Sequence, residues 1–153
     1  MGLYILDKLI GGMYLGKIVK TTMIEMIENG DLHPDIQVQK EMFELDSEFL
    51  SMMESTDVQD LTKVVKRYCQ FEVSQDEAKK IQKLCQAVSE RSAVLVACSV
   101  AAVAIKIFEN SRVSKIACGG DGSVFHKHPS YKKKLGIFTN EIIRSYFDFH
   151  DTW

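Results

Sequence analysis

The chain has 153 residues, of which 46% are hydrophobic and 26% are charged, and its formal net charge at pH 7 is −2. These values are typical of one soluble globular domain and exclude a disordered or collagen-like protein. Without a basic excess there is no electrostatic basis for binding nucleic acid or an anionic membrane surface. By the size scaling of compact domains, the chain should fill a sphere about 38 Å across.

The four cysteines predict a reducing compartment. Cys69, Cys85, Cys98 and Cys118 match no metal-ligand spacing and no small disulfide scaffold, so we expect them to be buried free thiols. The N-terminal sequence has no cationic segment of the kind that opens a signal peptide, and position 6 is not the Ser or Thr that myristoylation requires. We therefore expect a cytoplasmic protein.

The first part of the chain is predicted to be helical. Apolar residues recur with a helical period over Asp7–Asn29, over Lys40–Glu54 and over residues 57–69. Gly12 and Gly16 lie one turn apart on one face of the first of these helices. That spacing indicates either close packing against another element or an approach of the backbone to a ligand.

A long helix should follow. A capping box at Ser74–Glu77 opens it, and because no Gly or Pro occurs before Gly119 we place it at about residues 75–109. It would be about 52 Å long, which exceeds the diameter of the sphere. Its segment Ala93–Ile105 is apolar on all sides, which predicts burial on all sides, and it is shorter than the roughly 20 residues that span a bilayer. Either the helix breaks near Ser89–Ser92 or the chain is part of a larger globule.

The pattern changes towards the C-terminus. Short apolar runs at 115–119 and 123–126 flank Gly120-Asp121-Gly122, which predicts a β-hairpin because Asp-Gly suits a turn with two positive φ angles. We predict a helix from Tyr131 to about Ser145. The aromatic segment Ser145–Phe149 predicts a further strand. Three strands after several helices indicate an edge piece of an α/β sheet.

Four segments carry longer motifs: Asp7–Gly16, Phe43–Ser55, Cys85–Ala93 and Gly119–Tyr131. In this order they are similar to E-K-[LM]-I-[SG]-G-x-Y-[LM]-G, F-E-T-R-x-[VL]-S-x-[VI]-E, C-x-x-V-S-x-R-x-A and G-V-D-G-S-V-Y-x-x-H-P-x-[FY]. Together they resemble the hexokinase family, and the order and spacing agree from residue 2 to about residue 150. The last segment is the most specific, because a chance match over its whole length is improbable.

The resemblance implies the later part of the hexokinase large domain, which belongs to the actin-like ATPase superfamily. We therefore expect an α/β fold: a mostly helical piece with one long helix, a β-hairpin and a further strand. Residues 1–153 would form one partial domain, helical over 7–110 and hairpin–helix–strand over 113–150. The family's first phosphate loop, its hexose-binding segments and its catalytic Asp lie upstream of the match. We therefore assign no catalytic residue and expect the chain alone to be inactive.

The resemblance also implies two sugar contacts near the N-terminus. Asp7 stands where the family has a Glu that bonds sugar hydroxyls, and Tyr4 stands where it has a Gln. Aspartate is one methylene shorter than glutamate, and tyrosine has no amide. Asp7 has a second interpretation, as an acidic residue stabilised at a helix N-terminus.

Three further positions are implied as nucleotide contacts. Gly122 and Ser123 match family positions that lie against the nucleotide, the alternative being an ordinary hairpin turn. Thr56 lies near a family Thr that contacts phosphates, but it also begins a capping-box pattern for the helix at 57–69. His126 and His128 supply too few ligands for a metal site. The expected cofactor is Mg·ATP in the parent enzyme, with no metal ligated by the protein.

The function implied by the resemblance is that of a hexokinase fragment. The parent enzyme would transfer the γ-phosphate of ATP to the 6-hydroxyl of a hexose such as glucose, in the first step of glycolysis. The alternative is an inactive hexokinase-like binding or regulatory module that associates with a partner chain. Expected partners are ATP and hexose in the parent enzyme, together with self-association or the remainder of the hexokinase chain, and neither nucleic acid nor a membrane.

Overall fold

The computed structural model describes residues 4–113 and 115–150 of the chain, and the regular elements in those ranges are helices. The α-helices are α1 (Ile5–Ile10), α2 (Gly12–Glu28), α3 (Ser47–Ser55), α4 (Leu61–Cys69), α5 (Gln75–Asn110), α6 (Ser123–Lys127) and α7 (Tyr131–His150). A short 3₁₀ turn, Val58–Asp60, precedes α4.

The hydrophobic core lies between α2, α3, α4 and the N-terminal half of α5. Its largest fully buried side chains include Leu15, Met23, Phe49, Phe71 and Ile81. Helix α2 approaches the segment before α3 so closely that a Cβ on Gly16 would overlap the backbone of Leu45 and Asp46. The packing interpretation of this glycine is therefore confirmed.

Helix α5 runs unbroken through the core and beyond it. The predicted capping box is confirmed, since the Glu77 carboxylate accepts a hydrogen bond from the Ser74 N–H at 2.8 Å and the Ser74 hydroxyl accepts one from the Glu77 N–H. No break occurs at Ser89–Ser92. At 1.5 Å per residue the helix is about 54 Å long, so it extends past the core that encloses its first half.

The C-terminal half of α5 is covered on one side only. Ala97, Ala101 and Ala104 are buried, whereas Val103 is 62% exposed and Ile107 is 39% exposed. The prediction that this apolar segment is buried on all sides is therefore wrong for the described part of the chain. By length and composition α5 is also able to cross a membrane, since it contains an 18-residue window of mean hydropathy 1.9 that is 28% buried. The core helix of a larger protein has the same length and hydropathy, so these two properties are shared by core helices and membrane-spanning helices.

Helix boundaries in the first part of the chain differ from the prediction. The first helix is interrupted at Gly11, whose ψ of 129° is extended, and residues 40–46 precede α3 without being helical. Helix α3 begins instead where the Asp46 carboxylate accepts hydrogen bonds from the N–H groups of Glu48 and Phe49. The predicted capping role of Thr56 is wrong, because its side chain makes no cap bond and its N–H closes α3 on the Met52 carbonyl.

The predicted β-hairpin and further strand are wrong, and with them the α/β assignment, because the described residues contain no strand. A hairpin turn of the predicted type needs positive φ at both central residues, but only Gly122 has it. An isolated pair of strands is only marginally stable without a sheet to join. Residues 145–149 belong to α7, since Leu135, Phe138 and Ile142 set a helical period that continues through them.

We predict that Gly16→Ala destabilises the fold by about 3 kcal/mol, because backbone atoms of Leu45 and Asp46 must move to admit the methyl group. Gly136→Ala is the matched control: it lies inside α7 with open space around it, so the same change should stabilise by about 1 kcal/mol. Urea unfolding followed by circular dichroism measures both. Equal stability of Gly16→Ala and the native chain would contradict the close approach.

We predict that Glu77 contributes stability that is lost in acid. Burial alone would raise the pKa of this carboxyl, but hydrogen bonds from Ser74 and His33 outweigh it and lower the pKa from 4.5 to about 2. The ionised form is therefore favoured by folding, so its contribution is full above pH 4.5 and disappears as the pH falls towards 2. Glu77→Gln should be less stable by about 1–2 kcal/mol at pH 7, and the gap should close between pH 4.5 and 2 in urea titrations. A difference in stability between Glu77→Gln and the native chain that does not change with pH would contradict this prediction.

Candidate functional site

A cavity of about 670 Å³ opens beside the middle of α5. Its volume is in the range of pockets that bind small molecules. Four parts of the chain form its wall: the junction of α1 and α2, one side of α5, the segment Cys118–Phe125, and the N-terminal half of α7. The apolar lining residues are Ile10, Met13, Val96, Val100, Val124, Phe125 and Leu135.

The segment before α6 forms a tight turn at the cavity. Gly122 has φ 109° and ψ 156°, a backbone conformation that residues other than glycine rarely adopt, and it lies at the N-terminus of α6. The N–H of His126 donates to the Gly122 carbonyl at 3.1 Å. Gly120 lies against the ring of Phe125, at a distance that leaves no room for a Cβ. Gly122 is therefore favoured by its backbone conformation, whereas a larger residue at position 120 would require the Phe125 ring to move.

The structure brings together three of the five residues that the sequence singled out. Asp7, Gly122 and Ser123 all line the cavity. Tyr4 does not: it precedes α1 with a φ of 73° and its side chain is 77% exposed. Thr56 lies at the C-terminal end of α3 and is likewise outside the cavity lining.

Sequence reasoning missed the contribution of α7. Tyr131, Lys132, Thr139 and Asn140 line the cavity from this helix. The ammonium of Lys132 lies 5.4 Å from the centre of the Phe125 ring, a cation–π distance. The spacing of residues within α7 does not say which face of the helix meets the turn.

The lining combines an apolar wall with a few polar and charged groups. Lys132 supplies a positive charge, Asp7 and Asp121 supply carboxylates, and Ser123 supplies a hydroxyl. Such a site suits a ligand with one flat apolar part and one polar or anionic part. No group of three or more His, Cys, Asp or Glu residues that could hold a metal ion occurs in the part of the chain that the structure describes.

The thiols fall into two classes, so the prediction of four buried cysteines is wrong for two of them. All four are unpaired; Cys69 and Cys85 are buried, whereas Cys98 and Cys118 are exposed. Burial raises the pKa of Cys69 to about 12 and also raises the pKa of Cys85. Cys118 lines the cavity and Cys98 does not.

The described part of the chain is a helical element with a cavity of the size that small molecules occupy, and comparison with known proteins assigns it to a family. The hexokinase family model matches residues 1–150. Human hexokinase-3 is 31% identical over 143 residues, which is 89% of this chain and 15% of that protein. The hexokinase of Kluyveromyces lactis is 30% identical over 89% of this chain and 28% of its own length. That of Plasmodium falciparum is 34% identical over 84% of this chain and 26% of its own length.

The chain therefore belongs to the hexokinase family, as the motifs indicated. It spans between 15% and 28% of the length of these three curated relatives.

We predict that the thiols react in two groups with a water-soluble thiol reagent at pH 8. Cys98 and Cys118 should react rapidly, because both are exposed. Cys69 and Cys85 should react only as the chain unfolds, since burial blocks access and holds them in the thiol form. Peptide mapping after timed labelling identifies each site. Rapid labelling of either buried cysteine in the folded chain would contradict the packing around α4 and α5.

Proposed function

We propose that this chain supplies part of the nucleotide-binding wall of a hexokinase. The whole enzyme would transfer the γ-phosphate of Mg·ATP to the 6-hydroxyl of a hexose such as glucose, the first step of glycolysis, in the cytoplasm. Family membership supports the reaction class, and the cavity that joins Gly122 and Ser123 to Lys132 is the observation that carries the nucleotide assignment.

The cavity's chemistry is compatible with a nucleotide. Val124, Phe125 and Leu135 offer apolar surface to a purine base. Gly122 has nothing within 4 Å of the position where a Cβ would lie, so a base or a phosphate can approach its backbone. The Lys132 ammonium supplies a positive charge for a phosphate group. ATP bound with Mg²⁺ would bring its own metal, and no metal ligated by the protein is part of the proposal.

A hexose contact would be made by Asp7 alone. Its carboxylate lines the same cavity and would accept hydrogen bonds from sugar hydroxyls. Tyr4, the second residue implied by the resemblance, lies outside the cavity lining. One carboxylate gives a weak sugar site, so we expect any hexose affinity of the chain to be low.

Catalysis by the chain alone is not expected. Phosphoryl transfer depends on groups that position the phosphates and on a base that takes the hydroxyl proton. The resemblance implies that the first phosphate loop and the catalytic Asp belong to segments upstream of the matched part. Of the two carboxylates at the cavity, Asp121 has a fully exposed side chain and lies 3.4 Å from the His126 ring, which suits a solvated ion pair more than a base.

The alternative is an inactive hexokinase-like module that associates with a partner chain. Two observations favour it: Tyr4 and Asp7 replace the family's sugar-binding residues, and the apolar face of α5 at Val103 and Ile107 is exposed. The face would be covered by more hexokinase polypeptide or by a second copy of the chain. Association is expected under the main proposal and under this alternative, so the oligomeric state does not distinguish them. Nucleotide binding does, because only the main proposal requires it.

We predict that Mg·ATP slows the labelling of Cys118 and leaves Cys98 unaffected, because only Cys118 lines the cavity. Gly122→Ala should abolish this protection, since its φ of 109° is strained for alanine. Glucose with Mg·ATP should yield no phosphorylated sugar in a coupled assay. Equal labelling of Cys118 with and without nucleotide would refute the nucleotide wall. Turnover above background, in protein free of host hexokinase, would refute inactivity.

A further inference from the structure

A buried carboxylate lies at the centre of a polar cluster that is separate from the cavity lining. The side chain of Glu54, on α3, is only 5% exposed. Its Oε1 accepts a hydrogen bond from the Ser89 hydroxyl on α5 at 2.6 Å, and its Oε2 accepts one from the Ser130 hydroxyl at 3.3 Å. The Lys134 ammonium on α7 lies 3.8 Å from Oε2 and also pairs with Glu90 at 3.5 Å.

A buried histidine faces this carboxylate: the side chain of His128 is 1% exposed. Its Nε2 lies 3.2 Å from Glu54 Oε1, outside hydrogen-bond geometry, and makes no hydrogen bond to another described residue. The ring's Nδ1 accepts the N–H of Ser130 at 3.4 Å, so in a neutral ring the proton is on Nε2 and faces Glu54. Rotation of this ring away from Glu54 would remove one of the groups around the carboxylate and leave the ring Nε2 facing no partner.

The charge state of Glu54 fits this arrangement. Burial by itself would raise the pKa of the carboxyl, but the close contact with His128 and the hydrogen bond from Ser89 outweigh it, so the net pKa is lowered. The group is therefore an anion in the interior. Removing its partners would leave a buried charge, which costs more than the loss of an ordinary hydrogen bond.

His128 connects this cluster to the turn at the cavity. It is the C-cap that follows Lys127, the last residue of α6, and its N–H donates to the Val124 carbonyl at 3.2 Å. Because α6 has only five residues, a His128 held at its C-terminal end also restricts the position of its first residue. That first residue is Ser123, and Val124 lies against Gly12 at the start of α2. Val124 and Ser123 both line the cavity.

A second path leads from the cluster to the cavity through Tyr131. Its ring centre lies 6.0 Å from that of His128, and its hydroxyl shares a hydrogen bond of 2.8 Å with the Ser92 hydroxyl. The Ser92 hydroxyl also lies 3.3 Å from the Ile10 carbonyl, to which it is able to donate. Tyr131 and Ile10 line the cavity. The polar cluster therefore contacts the turn side and the helix side of the same wall.

We propose that Glu54 is a positioning residue: acting through His128, it holds α6 and the turn at Gly122 in the conformation that forms the cavity. Glu54 itself touches no ligand in this proposal. The positioning concerns the chain's own geometry; only its consequence for ATP rests on the proposed function above.

Amide hydrogen exchange of the purified 153-residue chain tests the positioning without any ligand. In Glu54→Gln, which keeps the shape and removes the charge, the N–H groups of His126 and His128 should exchange at least about tenfold faster. The matched control is Glu77→Gln, a buried carboxylate whose partners are Ser74 and His33 and are not shared with Glu54. There the same two amides should change by less than about twofold. If both variants speed them equally, the effect is global destabilisation and the proposal is wrong.

Substitutions at His128 separate positioning from packing. His128→Gln puts an amide N–H near the place of the ring Nε2–H, so the His126 amide should exchange as slowly as in the native chain. In His128→Ala the same amide should exchange faster. If alanine and glutamine variants exchange alike, the contact with Glu54 does not act. Ser130→Ala removes one weak bond to Glu54 and should give the same change on a smaller scale. This milder variant decides the question if Glu54→Gln fails to fold.

Protection of Cys118 by Mg·ATP tests the consequence for the ligand. It should be lost in Glu54→Gln and kept in Glu77→Gln. If the native chain shows no protection, the proposed function fails, while amide exchange still decides whether Glu54 positions the turn. If exchange quickens in Glu54→Gln but protection persists, positioning holds and its role in nucleotide binding is refuted.

Discussion

One buried anion connects α3 with three other parts of the chain. The Glu54 carboxylate is almost inaccessible to water, and the groups around it come from α5, from α7 and from the segment that joins α6 to α7. An ionised carboxylate in the interior is tolerated only when its partners hold their places. These elements are far apart in the sequence, so satisfying one group fixes how they are arranged. Apolar packing alone would permit small shifts between helices, whereas an unpaired interior charge does not.

Helix α5 supplies the frame on which this constraint acts. Its buried residues from Ala78 to Val88 pack into the core with α2, α3 and α4, and Ser89 and Ser92 follow directly after them. The two serines face different sides of the wall: Ser89 meets Glu54, and Ser92 meets Tyr131. The second half of the helix has α7 on one side and an exposed apolar face on the other. The site thus lies where the helix leaves the core and packs chiefly against α7.

Local signals predicted much of the helical structure. The capping box at Ser74 and the lack of Gly or Pro afterwards located α5 almost to the residue, because both act within a few positions. The prediction of a hairpin was wrong, because a strand needs partners that the local sequence does not specify. In addition, Asp121 does not take a positive φ. At the site, Asp7, Gly122 and Ser123 came from the motifs, whereas the contribution of Lys132 and the partners of Glu54 depend on which helix faces meet. A single sequence carries no signal for that meeting.

The motif residues fall into two groups, which lie in different places in the structure. Gly122, Ser123 and Asp7 face the cavity. Three others, Glu54, Ser89 and His128, come from three separate motif segments, yet they meet in the interior and do not line this cavity. A resemblance spread over nearly the whole chain therefore does not mean that every matching residue binds substrate. If Glu54 positions α6 as proposed, these matching residues serve the buried charge and act on the cavity only through the position of α6.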